Sequence, residues 1–463
     1  MYDLAIIGGG PGGYVAAIRG AQHGLKVLLV EKDALGGTCL NRGCIPTKCF
    51  IYDTKLLEAA KTSQLLTGIE ALSVDLNKMV ARKRGTVKTL VSGLEAIMGS
   101  HKIDVARGLG ELTSPGRIKV HPIEGPTREH EARHVILATG SRPLVLPFIK
   151  VDGHFIQTTD QALDSENIPE KIVIIGGGVI GIEMATIYLN LGSDVTILEL
   201  LPDILGTEDK EIRLAMGRLL DQRGAKIHLK AKAREARIKG KEVEVVFEDH
   251  SGKMVTLRAN RLLVATGRAP VLDGIESDRL GLETVGQFVK VNSRLETSLP
   301  GVYAIGDLVG GQMLAHKASA EAEVVVANIL GGNREVKPNL VPRCIWGLTE
   351  IGAIGLSEEE AKAGGRSIKV GRFPFMNSGA AQAMGNKNGF VKIIGDAETG
   401  EIMGVHILGE HATDLIGEAV TAMTMEAAVE DLAQAIKPHP TLSEAVMEAA
   451  MDWNSLAIHS PKR

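Results

Sequence analysis

The chain is short of cysteine, of long apolar runs and of any excess of one charge, and each shortage excludes a class of protein. Four cysteines in 463 residues do not make the disulfide framework of a secreted scaffold, and a reactive pair in such a chain is more often catalytic. A formal net charge of −4 leaves no basic footprint for nucleic acid. No apolar stretch approaches the roughly 18–20 residues of a membrane span. The opening Met1-Tyr2-Asp3 runs at once into Leu4-Ala5-Ile6-Ile7, too short an apolar core for a signal peptide. A cytoplasmic protein with no membrane or nucleic-acid partner is expected. Hydrophobic residues at 44% and charged residues at 23% are ordinary for a globular chain. The length suits about three domains of roughly 150 residues.

What the chain has is one glycine-rich pattern, written twice. Leu4-Ala5-Ile6-Ile7 leads into Gly8-x-Gly10-x-x-Gly13, a helical run to Gly24, and then Val27 to Glu31. Ile172-Val173-Ile174-Ile175 leads into Gly176-x-Gly178-Val179-x-Gly181, a helical run to Gly192, and then Val195 to Glu199. The glutamate lies 18 residues beyond the third glycine in both copies. A GxGxxG alone is weak; set between a strand and a helix, with an acid near 20 residues on, it signals a dinucleotide site. Such glycines let the backbone approach a pyrophosphate that the helix N-terminus attracts. Two dinucleotides are expected, in an α/β fold with two Rossmann-like domains. Each copy is answered later by a strand ending in Thr-Gly, at Thr139-Gly140 and Thr266-Gly267, a plausible crossover. The expected division is 1–146 for the first dinucleotide domain, 147–270 for the second, 271–343 for a central domain and 344–463 for an interface domain. The last part reads as amphipathic strands and two helices.

Cys39 and Cys44 stand five apart just after the first glycine turn, in Gly36-Gly37-Thr38-Cys39-Leu40-Asn41-Arg42-Gly43-Cys44-Ile45-Pro46-Thr47-Lys48. Two packed, unlinked cysteines are one reading. A redox pair is the other, favoured because Gly43 gives slack, Pro46 announces a helix and a helix start lowers a thiol's pKa. Lys48 either faces solvent or sets its charge beside a thiolate. Cys49 and Cys344 read as packed thiols. Glu199 suits a ribose 2′-hydroxyl, and no Arg or Lys occurs from 200 to 209 to hold a 2′-phosphate, so the second site should take NAD. A flavin is the natural relay between NAD and a disulfide, which makes FAD the expected occupant of the first. His439, flanked by Pro438 and Pro440, titrates in the range of a general base. Glu444 either orients its imidazole or completes a capping box over Thr441-Leu442-Ser443-Glu444. Glu183 is expected to pair with a buried lysine or to face solvent.

Taken together, Gly36 to Lys48, Gly306-Asp307, Met313 to Ala318 and His439 to Glu444 resemble the pyridine nucleotide–disulfide oxidoreductases, over the whole chain. The resemblance implies FAD and NAD domains, a C-terminal α+β dimerisation domain and an obligate homodimer. It implies a redox disulfide, with Cys39 as the thiol that meets substrate and Cys44 as the flavin-proximal thiol. His439 of the second subunit is then the base, beside Glu444. Lys48 sits by the flavin, Asp307 binds its ribityl chain, and Ala315 bonds its ring through the backbone. Further cofactor contacts fall on Gly37, Thr38, Gly110, Thr139, Gly140 and Gly267, and no metal is implied. The closest branch oxidises dihydrolipoyl groups, carrier-bound or free, with NAD. Another low-molecular-weight disulfide reductase and a non-catalytic flavin-bound assembly subunit are the alternatives. Two departures fall late in the chain: Trp346-Gly347-Leu348-Thr349-Glu350-Ile351 for the family's Tyr-Thr-x-Pro-Glu-Val, and Ala380 for a common arginine.

Overall fold

The computed structural model describes residues 1–275 and 277–461, which group into two compact units. The first unit comprises Met1–Pro147, Val151–Ile168 and Thr266–Val336. Its chain starts β1 (Tyr2–Ile7), α1 (Pro11–Gln22), β2 (Val27–Glu31), α2 (Gly37–Arg42), α3 (Cys44–Thr62) and α4 (Leu76–Ser100). The strands β3 (Asp104–Arg107), β4 (Leu109–Ser114), β5 (Arg117–His121) and β6 (Arg128–Leu137) follow. β1 lies between β2 and β6, parallel to both, with Leu4 opposite Val27 and Ile7 opposite Leu137. β3 extends the parallel order beyond β2, and Val302–Ala304 extends it beyond β6. A parallel strand covered on both faces needs an unbroken apolar run, and Leu4, Ala5, Ile6 and Ile7 are all buried.

The second unit comprises Phe148–Lys150, Pro169–Ala265 and the chain from Lys337 onward. It repeats the motif: Lys171–Ile175 pairs in parallel with Asp194–Leu198 on one side and Arg261–Val264 on the other. A second, antiparallel sheet follows the order Arg343–Trp346, Glu350–Gly355, Ile402–Gly409, Phe390–Asp396, Ile368–Pro374. Two long helices, Ala412–Thr424 and Glu444–Trp453, pack with this sheet. Three short ones accompany them, Glu358–Ala363, Gly379–Ala383 and Val429–Gln434. That corrects the expectation of two helices: five or six residues are too few to display a helical period.

Charge is buried inside this unit. Lys392, whose side chain is 2% exposed, donates to Asp209 at 2.9 Å, Glu211 at 2.8 Å and Glu358 at 2.8 Å. Asp209 is also the N-cap of the helix Lys210–Gln222, so one carboxylate serves a cap and an ion pair. Burial raises all three carboxyls, but their ion pairs and hydrogen bonds outweigh it and leave each below the usual range, Glu358 at about 2. Burial lowers Lys392, and the same carboxylates outweigh that and raise it. The depressed carboxyls add stability above their unfolded pKa of about 4, lost as pH falls through the folded values. The raised lysine adds stability below about 10.4, lost as pH climbs through its folded value. Lys392→Met should cost roughly 3–5 kcal/mol, because it strands buried carboxylates. The urea midpoint of the second unit, followed at neutral pH, checks this.

Among the described residues, no helix is long and apolar enough to cross a membrane. Nor is any group of three or more His, Cys, Asp or Glu among the described residues placed to hold a metal ion.

Candidate active site

The two glycine turns fold alike. Gly8 has φ +108° and Gly176 φ +112°, in the region that only glycine enters freely. A Cβ on Gly13 would meet the Gly8 carbonyl oxygen at 1.8 Å, and one on Gly181 the Gly176 oxygen at 1.9 Å, so the third glycine is what lets helix and strand close. Both following glutamates hold the turn itself. Glu31 accepts from the Gly9 N–H at 2.6 Å and the Asp33 N–H at 2.7 Å. Glu199 accepts from Gly177 at 2.6 Å and Leu201 at 2.7 Å. Neither sequence expectation included this tie, which leaves each carboxylate further lone pairs for a ribose. α1 and Val179–Asn190 begin at Gly10 and Gly178 with no side-chain cap and no acid in the first turn. Their first N–H groups therefore stay available to an anion.

In the first unit, Gly37 (φ +56°) sits so close to the turn that a Cβ would lie 2.7 Å from the Gly10 Cα. Thr38 and Cys39 follow in α2, and Cys44 opens α3. Gly43 joins the two helices; a Cβ there would lie 3.0 Å from the Thr38 oxygen and 3.4 Å from the Cys39 Cα. The spacing therefore works because glycine lets the connection fold onto itself. Cys39 and Cys44 are two thiols in hydrogen-bond contact. That contact, with burial and the charge of Cys44, pushes the Cys39 thiol up, against a smaller pull from Lys48. The expectation of an acidified pair is thus not met at Cys39, whose thiol is pushed up, while Cys44 opens α3. Sequence reasoning missed Tyr14 on α1, raised by burial and then by Cys39. Cys49 is buried, and Cys344 is half-buried, 3.8 Å from the Thr413 carbonyl.

The two Thr-Gly strand ends meet in this unit. Arg268–Pro270 pairs antiparallel with Ser141–Pro143. Thr139 donates to the Val271 carbonyl at 2.6 Å and Thr266 to that of Leu144 at 2.6 Å. Gly140 and Gly267 carry positive φ, at +74° and +113°. Ser141 donates to Asp307 and accepts from Arg268 at 2.6 Å; a lone serine and arginine gave no motif to find. Ala315 opens the helix Ala315–Ile329, again uncapped by a side chain and without an acid in its first turn. Gly110 packs against Ile7 and Val30, where a Cβ would lie 2.8 Å and 3.1 Å from their side chains.

In the second unit His439, 78% exposed, hydrogen-bonds through Nδ1 to Glu444 Oε1 at 2.9 Å. Glu444 Oε2 accepts from the Thr441 N–H at 2.8 Å. One Glu444 oxygen thus meets the imidazole and the other the Thr441 N–H, but the reciprocal capping box is not made: Thr441 Oγ1 donates to the Pro438 carbonyl at 2.7 Å, and the helix starts at Glu444 after Ser443, an N-cap without a side-chain bond. Burial raises its carboxyl, but the Thr441 N–H and His439 prevail and hold it below the usual range. Glu183 is buried and accepts from the Trp346 N–H at 3.1 Å, which corrects the solvent-facing reading. Ala380 is buried in its short helix. Glu444→Gln should lower kcat/KM for a thiol substrate about 10- to 100-fold, less than a whole general base contributes, with KM for NAD unchanged in steady-state assays.

Residues 2–322 match the pyridine nucleotide-disulphide oxidoreductase family, and residues 341–450 match that family's dimerisation domain. The chain belongs to this family. It is 42% identical over 470 residues to a dihydrolipoyl dehydrogenase of Bacillus subtilis, covering 99% of both chains. It is 41% identical over 462 residues to dihydrolipoyl dehydrogenase 2, mitochondrial, of Arabidopsis thaliana, covering 99% of this chain and 91% of that one. The crystal structure of LpdA from Mycobacterium tuberculosis matches with a TM-score of 0.91 at 28% identity, covering 98% and 99% of the two chains. The fold is α/β with Rossmann-type domains and a C-terminal dimerisation domain, and that domain supports a homodimer. FAD and NAD are the cofactors the family implies. The residues present fit both: a Cβ on Gly178 would meet nothing within 4 Å and one on Gly10 only the Gly37 Cα at 3.9 Å, so each uncapped helix start faces open space.

Proposed function

We propose that the protein oxidises dihydrolipoyl groups with NAD⁺ through FAD and a Cys39–Cys44 redox disulfide. The observation that carries this is the hydrogen-bonded Cys39/Cys44 pair at a helix start, in the same unit as the first glycine turn. The relatives named dihydrolipoyl dehydrogenase supply the substrate class. Gly8, Gly10, Gly13, Glu31, Gly37, Thr38, Lys48, Gly110, Thr139, Gly140, Asp307, Ala315 and Gly267 would hold FAD. Gly176, Gly178, Val179, Gly181 and Glu199 would hold NAD. These sites fill the divisions 1–146, 147–270 and 271–343, and 344–463 brings two subunits together. The working place is the cytoplasm, and the substrate is either a lipoyl-bearing carrier or free dihydrolipoamide.

His439, presented to the other subunit's cysteines, removes the proton from the first substrate thiol. The thiolate attacks Cys39 Sγ, the Cys39–Cys44 bond breaks, and its electron pair leaves on Cys44 as thiolate. The second substrate thiol, deprotonated in turn, displaces Cys39 to give the lipoyl disulfide, and Cys39 takes up the proton its raised pKa favours. Lys48 adds a positive charge beside the pair. Bound FAD supplies the two-electron relay that passes the dithiol's electrons to NAD⁺ as hydride. The sum is dihydrolipoyl + NAD⁺ → lipoyl + NADH + H⁺, and ping-pong kinetics are expected. Purified flavoprotein given dihydrolipoamide should form NADH from NAD⁺ and little NADPH from NADP⁺. Reduction of glutathione disulfide with no NADH formed from dihydrolipoamide would overturn the reading.

A further inference from the structure

The helix Glu444–Trp453 carries a second histidine–glutamate pair one turn beyond the first. Glu448 Oε1 bonds His459 Nδ1 at 2.7 Å. Its Oε2 accepts from the Ile458 N–H at 2.9 Å and the His459 N–H at 3.3 Å. The plan copies that of Glu444, where one oxygen holds an imidazole and the other a backbone N–H. His439 reaches the helix from the segment before it, His459 from the segment after it. Residues four apart on a helix are neighbours, about 5–6 Å between Cβ atoms. The Glu448 side chain is only 3% exposed, while His459 is 68% exposed. A buried carboxylate needs a partner, and Glu448 finds its partners in this terminal segment.

We propose that Glu448 and His459 form a charge-balancing pair whose net charge tunes the His439 base one turn away, with His459 as a positioning residue. This rests on the reading of His439 as the thiol-deprotonating base. When His459 is protonated the second pair is neutral, and His439 answers to Glu444 alone. When His459 is neutral or removed, Glu448 stands as a net negative charge one turn away and strengthens proton binding at His439. His459 is among the groups that hold the Glu444 carboxyl down.

The other charges on elements packed against this helix are already engaged. Arg372 and Lys392 are held by Glu211 and Glu358, and Asp396 by Arg366. Lys369 lies over the Trp453 ring, and Lys437 pairs with Glu418. Asp452, one turn further on, accepts from the Arg372 N–H at 2.8 Å. Glu430 accepts from Asn454, and Asp431 caps the Ala428 N–H. Asn377 donates to the His459 carbonyl at 3.0 Å without bringing charge.

The test is the pH profile of kcat/KM for dihydrolipoamide oxidation by full-length, FAD-loaded enzyme, read beside an NMR titration of His439. His459→Gln should move the acid limb up by a few tenths of a pH unit or more. Glu448→Gln should move it down, and the double variant should return it toward wild type. A tail that merely packs would give no shift, or shifts of one sign in both single variants, and either result overturns the proposal. If wild-type enzyme fails to oxidise dihydrolipoamide, the proposed function falls, and opposite NMR shifts of His439 in the two variants still decide the pairing.

Discussion

Replacing Cys44 by serine is expected to lower NAD-linked oxidation of dihydrolipoamide by roughly 10³-fold or more, as loss of a covalent reaction partner does. A serine oxygen forms no disulfide, so the bond that the substrate thiolate must break never exists. The loss should be specific, because Cys44 is exposed and its exchange for serine leaves the core alone. Gly43 still folds the connection onto Thr38, and α3 still begins at the same place. Flavin content and NADH-driven reduction of ferricyanide, which bypasses the cysteines, should stay near wild type. Cys39→Ser should abolish dihydrolipoamide oxidation too. Cells that kept full function with Cys44→Ser would favour a docking subunit over an enzyme, whereas purified Cys44→Ser protein that kept most of its activity would mean that the Cys39–Cys44 bond is not the one the substrate breaks.

His439→Gln should reduce dihydrolipoamide oxidation by about 10²–10⁴-fold, the range of a positioned acid–base group. The imidazole is largely exposed and, among the described residues, is bonded on its Nδ1 side to Glu444, so Nε2 is the atom that meets a thiol. Glutamine can keep a bond to Glu444 but takes no proton. Rapid mixing should show NADH still reducing the cysteine pair at a normal rate, with the defect confined to the thiol half-reaction. The acid limb of the kcat/KM profile should vanish with the residue that causes it. An unchanged profile would mean that another group deprotonates the substrate.

Much of this was legible before folding because the chemistry depends on short, local patterns. Gly8 to Glu31 and Gly176 to Glu199 spell the dinucleotide turns, and the structure adds that each glutamate first ties down its own turn. The Cys39–Cys44 spacing pointed to a pair, yet no spacing says how the thiols are perturbed; the contact between the sulfurs and burial push Cys39 up. Glu183 illustrates the opposite limit. Its partner, the Trp346 N–H, lies 163 residues away, and only the fold brings the two together. Ser141 with Arg268, Tyr14 with Cys39 and Lys392 with Asp209 stayed silent for the same reason. His459 is the instructive case, since a histidine near a chain end has no motif and gains meaning only from Glu448.

In the proposed mechanism the disulfide of one subunit works with the base of the other, and hybrid dimers distinguish this arrangement from a site built within a single chain. Cys44→Ser and His439→Gln homodimers, each nearly inactive, would be unfolded together, refolded with FAD and assayed for NADH formation from dihydrolipoamide. A hybrid dimer pairs intact cysteines with an intact partner histidine at one of its two sites. Activity should therefore reappear on mixing, in proportion to the hybrid present. A hybrid as inactive as its parents would place both lesions in the same site and contradict the claim.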